Sequence, residues 1–409
     1  MTDDRKRKLE KNFFKIFFIN SLLNVKMVNV ILSLFFVYRS LQVADVFYLG
    51  VVYSAAVILS EVPSSYLADR FGRKRTVIIA AFFGLLHWVF YLIADSFLLF
   101  AIGTIFYALA ESCMSGTDEA FVYDTNKELG RQADSLKKLA HYFSSERIFK
   151  IASAFLGVLI AQQLVEWQFS LVIFIDIVAS IIAIIFSFTL VEPNHYLDVE
   201  KQEAGLIKDA YKILSQDRNL MSAIFNKLMI TIVTIASWRY SAVLFVENLK
   251  IPILIFGFVW SMHHLLVFIG NRLTHTIIVA KSEGFKINML NNVMCISVAL
   301  FLVCWFLYPQ PYILFGLYTS MLTAGSLRDP FFSQLFNKQF NSYNRATTLS
   351  LASFIRHIFE IPLLPIMGLV VARNIIYPYV IGLVLSMIVI IYFRVKDQDS
   401  LKLYEPKTI

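Results

Sequence analysis

Long apolar runs separated by short polar stretches follow one another along almost the whole chain. Each run reaches about 20 residues, the length that an α-helix needs to cross a hydrocarbon layer of about 30 Å. The runs are continuous and lack the alternation of a membrane β-barrel, so an α-helical bundle is the fold that satisfies their backbone in lipid. The pattern predicts twelve transmembrane helices, at residues 13–38, 44–67, 74–95, 97–124, 141–165, 168–191, 219–246, 253–279, 286–307, 311–337, 345–372 and 375–394.

The composition agrees with an all-α membrane protein. Of 409 residues, 58% are apolar and 16% are charged, whereas soluble domains have roughly 45–50% apolar and about 25% charged residues. The three cysteines, Cys113, Cys295 and Cys304, all fall inside predicted spans. We therefore expect no disulfide framework and no zinc site, and interpret the cysteines as packing residues.

Lysine and arginine are distributed unevenly between the two sets of loops. The loops of one side carry 25 of them, and the opposite loops carry only Arg39, Lys250 and Arg373. Because cytoplasmic loops carry the excess, we expect both termini to be cytoplasmic in a multi-pass protein of the cell inner membrane. The first residues, MTDDRKRKLEK, lead into the first span without a small-residue cleavage site, so we interpret that span as an uncleaved helix. The net charge of +8 then reflects topology, and we expect no nucleic-acid partner.

The longest polar stretch, residues 192–218, divides the chain near its middle. Within it, five residues share the apolar face that a helix in the membrane interface would have: Leu206, Ile207, Ala210, Tyr211 and Leu214. We interpret this stretch as a cytoplasmic linker that carries an interfacial helix.

The two parts of the chain on either side of the linker resemble each other. An offset of 211 residues places SGTDEAFVYDTN (115–126) over SLRDPFFSQLFN (326–337), with Ser, Asp, Phe and Asn matched. Sparse identities of this kind agree with two six-helix halves related as parallel repeats. The predicted domains are thus residues 1–191, the linker, and residues 219–409.

The loop after the second span carries the most specific motif. Residues 61–75 read EVPSSYLADRFGRKR, and five of them resemble the cytoplasmic signature of the major facilitator superfamily: Asp69, Arg70, Gly72, Arg73 and Lys74. That signature begins with glycine where this chain has Ser65, a small residue that still lets two helices approach closely. Together with the helix count and the half repeat, the resemblance covers the whole chain. The resemblance implies the twelve-helix fold of that superfamily. It also implies that the protein moves a small molecule by alternating access, in which residues 1–191 move against residues 219–396.

The resemblance also implies a cytoplasmic gate. Asp69 would face the N-terminus of the eleventh helix, where the helix dipole favours an anion, and Arg73 would pair with Asp124 at the end of the fourth span. Arg70, Gly72 and Lys74 complete the predicted gate. Its contacts would form in one state of the transport cycle and so bias the equilibrium between the two states. The alternative interpretation is that the basic residues only reflect topology.

Carboxylates inside predicted spans are costly and are therefore candidates for proton coupling. Glu111 and Asp118 share one stripe of the fourth span, and Glu119 is turned about 100° away. Because desolvation favours the protonated form of a carboxyl group, Asp118 or Glu111 is the predicted proton carrier, and Glu119 and Glu61 are further candidates. The alternative is that these carboxylates pair with basic residues of neighbouring helices.

Basic and aromatic residues inside the spans are candidates for substrate binding: Lys26, Arg147, Trp238, Arg239, Tyr240 and Arg356. Because arginine binds carboxylates and phosphates with its planar fork, the predicted substrate is a small anionic or zwitterionic molecule. Acidic residues are about as numerous in the spans, so mutual neutralisation is an equally good explanation, and Arg356 and Glu360 have the spacing of an intrahelical ion pair. His263 and His264, with His357, are interpreted as packing residues.

Several chemistries are excluded by absent motifs. The chain has neither a GxxxxGKS or GxxxxGKT loop for nucleotide hydrolysis nor an HExxH metal motif. We expect no cofactor, no metal site and no enzymatic activity. A membrane enzyme that uses the acidic sequence DEAFVYD, and a receptor that binds without transport, are the hypotheses from other classes.

The direction of transport has two readings. The sequences EVPSSYLADRFGRKR and SGTDEAFVYD resemble those of bacterial permeases often grouped with small-molecule efflux proteins, which favours efflux. With the carboxylates of the fourth span as proton carriers, we expect proton-coupled efflux, and we expect a monomer. The fifth span, KIASAFLGVLIAQQL, lacks the Gly-Pro pair that drug and proton antiporters of the superfamily often carry. Import of a nutrient or of an iron-chelating siderophore is therefore the alternative.

Overall fold

A computed structural model describes residues 2–131, 149–194, 218–277, 282–339 and 345–396 of the chain. All regular structure in these residues is helical. The first half contains α1 (Asp3–Leu23), α2 (Leu32–Tyr38), α3 (Val43–Phe71), α4 (Arg73–Ile93), α5 (Phe97–Met114), α6 (Thr117–Glu128), α7 (Phe149–Ile160) and α8 (Glu166–Phe188). The second half contains α9 (Arg218–Arg239), α10 (Ile253–Ile277), α11 (Glu283–Leu307), α12 (Pro311–Leu327), α13 (Asp329–Gln339), α14 (Arg345–Arg373) and α15 (Tyr377–Tyr392).

The helices have the lengths and the apolar surfaces of membrane spans. Within the described ranges, nine helical segments are long and apolar enough to cross a membrane, and α7 and α15 are shorter apolar helices. A helix occupies each of the twelve predicted spans. The prediction of an all-α membrane protein is confirmed.

Helix α8 illustrates the surface that such a fold offers to lipid. Trp167, Phe174, Ile181 and Phe188 recur every seven residues and are 60%, 54%, 42% and 61% exposed. The opposite face holds Asp176, which is buried. A helix with its large apolar side chains outward and its charge inward is suited to a bilayer and not to water.

Among the described residues, four spans that the sequence predicts as single helices are interrupted. The first span breaks at residues 24–26, between α1 and a 3-10 turn at Met27–Ile31. The fourth span breaks at Ser115 and Gly116, and the tenth at Arg328. The seventh breaks at Tyr240, and a π-helix follows at Val243–Asn248. At the first two breaks the backbone is left-handed, with φ of 38° at Lys26 and 75° at Gly116. Irregular backbone is tolerated inside a membrane protein where it is buried in protein or lines a cavity.

The chain forms two compact units. One unit comprises Met1–Asp198 with Pro252–Ser261, and the other comprises Val199–Ile251 with Met262–Ile409. In the first unit, α4 packs against both α5 and α8. In the second unit, α11 packs against both α12 and α15. The interfacial helix predicted within 192–218, from Leu206 to Leu214, lies outside the described residues.

In each unit, an asparagine of one helix forms hydrogen bonds with the backbone at the end of another, α1 with the end of α8 and α9 with the end of α15. Asn12 of α1 donates Nδ2–H to the carbonyl of Val191 at 2.8 Å and accepts the N–H of Val191 at 3.0 Å. Asn226 of α9 donates Nδ2–H to the carbonyl of Phe393 at 2.6 Å. These asparagines satisfy carbonyls that have no partner inside their own helices.

Candidate functional site

A polar cavity of about 340 Å³ lies within the first unit. Side chains from both broken spans of this unit contribute to it, together with residues of α4, α7 and α8. Its polar lining residues are Asn20, Asn24, Lys26, His87, Tyr107, Glu111, Ser115, Asp118, Glu119, Lys150 and Ser180. A concave site with this many convergent polar groups inside an apolar bundle is the first candidate for function.

An ion pair between Lys26 and Glu111 is the main electrostatic feature of this cavity. Lys26 Nζ donates to Glu111 Oε1 at 3.0 Å and to the hydroxyl of Tyr107 at 3.1 Å. The ammonium group also lies 4.8 Å from the centroid of the Tyr107 ring, close enough for a cation–π interaction. The carboxylate is half exposed, with 46% of the Glu111 side chain accessible, whereas only 13% of the Lys26 side chain is accessible. A group that enters the cavity can therefore reach Glu111.

Lys26 reaches the cavity because the first span is broken. The buried carboxylate of Asp176 accepts the N–H of Met27 at 2.9 Å and that of Val28 at 3.5 Å, so it caps the segment that restarts the span. At Gly157 an added Cβ would lie 2.3 Å from the carbonyl oxygen of Met27. Only a glycine in α7 leaves room for this irregular backbone.

The break of the fourth span brings the predicted carboxylates together in a different way from a single helix. Asp118 and Glu119 begin α6, and both line the same cavity as Glu111. Asp118 and Glu119 are consecutive in α6 and so remain about 100° apart, while the break at Ser115 and Gly116 changes the orientation of both relative to Glu111. Asp118 Oδ1 accepts the N–H of Glu119 at 2.8 Å, in the first turn of α6, where an anion is favoured.

His87 is a cavity residue that the sequence did not single out. It is buried, and its Nδ1 lies 3.0 Å from the carbonyl oxygen of Gly103. Its ring lies 4.9 Å from that of Tyr107, measured between centroids. The imidazole thus packs behind the phenol that contacts Lys26.

The predicted gate residues Arg73 and Asp124 are in contact. Arg73 Nε donates to Asp124 Oδ2 at 3.0 Å, and 14% of each side chain is exposed. Lys74 follows in the first turn of α4, and Arg70 Nη1 donates to the hydroxyl of Tyr66. The side chain of Asp69 lies outside the described part of the structure, so its predicted contact stays a prediction.

Glu192, which the sequence did not single out, completes this end of the first unit. Its carboxylate accepts the N–H groups of Arg73 and Lys74, both at 2.7 Å, and thereby caps α4. Gly72 has φ of 96°, and a Cβ there would lie 2.9 Å from Glu192 Cδ. The glycine of the signature thus provides both the left-handed turn and the space for the capping carboxylate.

A bidentate ion pair extends the contacts around Glu192. Arg5 donates from Nε to Glu128 Oε1 at 2.5 Å and from Nη2 to Glu128 Oε2 at 3.0 Å. Arg5 Nη2 also donates to the carbonyl of Glu192 at 3.2 Å. These bonds connect α1, α6 and the segment after α8.

A second cavity, of about 410 Å³, lies within the second unit. Its charged lining residues are Lys227 of α9, Asp329 of α13 and Arg356 of α14. Lys227 Nζ lies 3.9 Å from Asp329 Oδ1, and Arg356 Nε lies 3.6 Å from Glu360 Oε1. The intrahelical pair predicted for Arg356 and Glu360 is present, and Arg356 still lines the cavity.

The other predicted site residues have different positions. Tyr240 is fully buried, and its ring lies 5.9 Å from that of Tyr379. Trp238 and Arg239, at the end of α9, do not line either of the two cavities described above, and neither does Glu61 of α3. Arg147 lies outside the described residues.

Asp176, Lys227 and Arg328 are among the charged residues inside the predicted spans that were not selected as site residues. The rule that selects intramembrane charges applies to all three. Asp176 holds the broken backbone of the first span, Lys227 lines the second cavity, and Arg328 is fully buried beside it.

Comparisons with known proteins agree on one family. The family model described as Major Facilitator Superfamily matches residues 16–362. An uncharacterized MFS-type transporter of Bacillus subtilis (strain 168), YxaM, is 28% identical over 192 residues. That alignment covers 46% of this chain and 45% of the relative, so the chain matches less than half of that protein.

Solved transporter structures share the fold. The nucleoside transporter NupG matches with a TM-score of 0.76 at 14% identity, over 94% of this chain and 98% of NupG. A D-xylose-proton symporter matches with a TM-score of 0.71 at 12% identity, over 97% of this chain and 99% of the symporter. With the family model matched over most of its length, this chain belongs to the major facilitator superfamily.

Proposed function

We propose that this protein is a proton-coupled secondary transporter, and that the Lys26–Glu111 ion pair couples proton binding to substrate movement. The observation that carries the proposal is the 3.0 Å contact between the two charges inside a polar cavity that is lined by membrane-spanning helices. A carboxylate that binds a proton from the cavity loses its attraction for the ammonium group. Lys26, still hydrogen-bonded to Tyr107, then becomes available to another anion.

Glu111 is preferred over Asp118 as the proton carrier. Asp118 accepts a backbone N–H of its own helix and lies in the first turn of α6, where the dipole stabilises its charged form. Glu111 is at the end of α5, beside the break, and a lysine is its main charged partner among the contacts described. Competition between a proton and an ammonium group for one carboxylate is a two-state element of the kind that coupling requires.

The gate of the proposed cycle is the contact between Arg73 and Asp124. This pair would hold the cytoplasmic side closed in one state, and it would separate in the other state. Capping of α4 by Glu192 fixes the backbone from which Arg73 reaches Asp124. In the proposed cycle, residues 1–191 move against residues 219–396, so that the substrate site opens first to one side of a cell inner membrane and then to the other. Both termini are cytoplasmic in this proposal.

Efflux is the proposed direction, on the resemblance of the loop at 61–75 and of the segment from Ser115 to efflux permeases. The solved relatives include a protein named as a proton symporter and one named as a nucleoside transporter. Their identity to this chain is low, so they support the fold and leave import as the second direction. The proposed substrate is a small organic molecule that carries an anionic or zwitterionic group.

Proton movement in everted membrane vesicles tests this proposal. An imposed pH gradient is combined with a panel of small anions, zwitterions and cations, and compound-dependent proton release is recorded for the wild type and for Glu111→Gln. Glu166→Gln is the matched control, because Glu166 also pairs with a cation, Arg39, at 2.5 Å and is also half exposed, but it lies away from the cavity.

We expect a compound to trigger proton release in the wild type and in Glu166→Gln, and to trigger none in Glu111→Gln. Right-side-out vesicles distinguish import from efflux for the same compound. Equal proton release by Glu111→Gln and the wild type would overturn the role of the ion pair.

A further inference from the structure

We propose that the cavity of the second unit binds an anionic group of the transported molecule, with Lys227 and Arg356 as its ligands. This inference rests on the proposed function, because it names the chemical class of the substrate. It is carried by cations whose hydrogen-bond donors are only partly used in the described structure.

Lys227 is placed to bind an anion and is weakly engaged by its neighbours. Its nearest carboxylate oxygen, Oδ1 of Asp329, is 3.9 Å away, which is beyond hydrogen-bond distance. The ammonium group lies 5.9 Å from the centroids of both Phe332 and Phe336, which form an aromatic wall beside it. Within the described ranges, no acceptor lies within hydrogen-bond distance of Nζ.

Arg356 is held in place from one side only. Its Nη2 lies 2.8 Å from His357 Nε2, and His357 Nδ1 lies 3.0 Å from Glu360 Oε2. These contacts select the neutral imidazole with its proton on Nδ1, which accepts from Arg356 and donates to Glu360. Glu360 thus reaches the guanidinium mainly through the imidazole, and its own oxygen stays 3.6 Å from Arg356 Nε. The guanidinium retains donors for a carboxylate or phosphate.

A third cation, Arg328, raises the positive potential beside the cavity. Its side chain is fully buried, and its Cζ lies 5.1 Å from the centroid of Phe332, the ring that Lys227 also approaches. Among the described residues, Arg328 makes one hydrogen bond, from Nη2 to the carbonyl of Asn226 at 3.4 Å, and its Nε and Nη1 have no partner. A buried guanidinium without a bound carboxylate is unfavourable unless an anion compensates it.

The charges near the cavity leave an excess that matches one anionic group. The cations Lys227, Arg328 and Arg356 face the carboxylates of Asp329 and Glu360. The remaining wall is apolar or carries hydroxyl groups, with Ile224, Phe336 and Thr231 among its residues. This arrangement suits a carboxylate or phosphate on a small apolar or aromatic body.

Ligand-dependent thermal unfolding of the purified full-length protein tests the proposal. The probes are benzoate and phenyl phosphate, their uncharged and cationic counterparts benzamide and benzylamine, and inorganic phosphate. The variants are Lys227→Gln, Arg356→Gln and the conservative Lys227→Arg. Arg373→Gln is the matched control, because Arg373 ends the same helix, α14, and does not line the cavity.

We expect at least one of the aromatic anions to raise the unfolding midpoint of the wild type and of Arg373→Gln, while benzamide and benzylamine leave it unchanged. Removal of one charged ligand should weaken the apparent affinity about tenfold or more, since a charge-assisted hydrogen bond is lost. Lys227→Arg should retain most of the binding. If one Gln variant does not fold, the other and Lys227→Arg decide the question.

The proposal is overturned if none of the anions stabilises the wild type, or if they stabilise both Gln variants as strongly as Arg373→Gln. Stabilisation by inorganic phosphate alone, equal in all variants, would be nonspecific and would count against it too. The two proposals can fail separately. If Glu111→Gln still binds the anions and also releases protons like the wild type, the coupling mechanism is refuted, whereas the anion site is still supported.

Discussion

The carboxylate of Asp176 in α8 accepts the backbone N–H of Met27 at 2.9 Å, in the middle of a span that the sequence predicts as one continuous helix. The second oxygen accepts the N–H of Val28 at 3.5 Å. Both donors are freed because the chain leaves the helix at residues 24–26, and inside a membrane protein they find no water. Asp176 therefore makes possible the break that carries Lys26 into the cavity.

Replacement of Asp176 by alanine is expected to destabilise the protein. Two buried N–H groups would lose their acceptor, at about 1–3 kcal/mol for each unsatisfied group. Asp176→Asn keeps one acceptor oxygen and should have a smaller effect. The measurement is the unfolding midpoint of the purified protein.

Ser180→Ala is the control for Asp176→Ala, because Ser180 lies one turn later on α8, is also buried and, among the described residues, bonds only to the carbonyl of Asp176 in its own helix. We expect a small loss for this control, within about 1 kcal/mol. If Asp176→Ala unfolds no earlier than Ser180→Ala, the break does not depend on the carboxylate.

The breaks in the first and fourth spans show that hydropathy predicts where a span lies but not where its helix is interrupted. Apolar runs predict the number and the approximate ends of the spans, since the requirement to cross a membrane acts on each span separately. They do not predict the interruptions at Lys26 and Gly116, because the residues on both sides of each remain apolar enough for a continuous helix. The cap of the first break, Asp176, is 149 residues from Met27, and that pairing depends on tertiary packing.

Gly72→Ala is expected to lower the stability of the protein more than the same substitution at Gly130 does. Both glycines have positive φ, 96° and 70°, so alanine is strained at either position. At Gly130 a Cβ meets nothing within 4 Å, whereas at Gly72 it would lie 2.9 Å from Glu192 Cδ. The comparison of unfolding midpoints isolates the steric conflict with the capping carboxylate from the backbone strain.

A double variant tests the same contact. Glu192→Ala removes the carboxylate, so Gly72→Ala should cost less in that background than in the wild type, with a coupling of about 0.5–3 kcal/mol. Additive effects would mean that Glu192 does not occupy the space that Gly72 leaves open.

The contact between Arg73 and Asp124 predicts that charge reversal at one position harms transport and that reversal at both restores part of it. The pair is only slightly exposed, so each single reversal, Arg73→Asp or Asp124→Arg, places like charges together at about 3.0 Å in the present geometry. The measurement is the initial rate of substrate movement in vesicles, compared at equal protein amounts.

Matched controls for the charge swap are Arg5→Glu and Glu128→Arg, singly and together, at the neighbouring bidentate pair. If the gate role is correct, the Arg73 and Asp124 variants reduce the transport rate per folded molecule, beyond any loss that their unfolding midpoints explain. A loss of stability with an unchanged rate per folded molecule would assign the pair to folding alone.

The candidate site was predictable to different degrees for separate physical reasons. Arg73 and Asp124 were identified through a family signature, since no periodicity links two residues on different helices. Glu192 follows the sixth span in a loop, where a carboxylate is ordinary, and only the turn at Gly72 gives it a special role. Lys227 and Arg328 satisfy the simplest rule, a charge inside an apolar span, and a complete application of that rule would have selected them.

Arg328→Met is expected to raise the stability of the protein without ligand. The guanidinium is fully buried, makes one hydrogen bond of 3.4 Å in the described structure, and leaves Nε and Nη1 without a partner. Replacement of a poorly compensated buried charge by an apolar side chain of similar length can stabilise a protein, by about 1–4 kcal/mol where buried ion pairs have been replaced. The unfolding midpoint of the ligand-free variant should therefore rise, while Arg328→Lys, which keeps the charge, should not share this gain.

The same variant should lose part of the stabilisation by phenyl phosphate or benzoate, because Arg328 contributes to the positive potential beside Lys227. A gain in stability combined with a loss of anion response is the signature of a residue retained for function at the expense of stability. If Arg328→Met unfolds earlier than the wild type, the guanidinium has a strong partner in the native protein. The charge excess that supports the anion site would then be smaller by one.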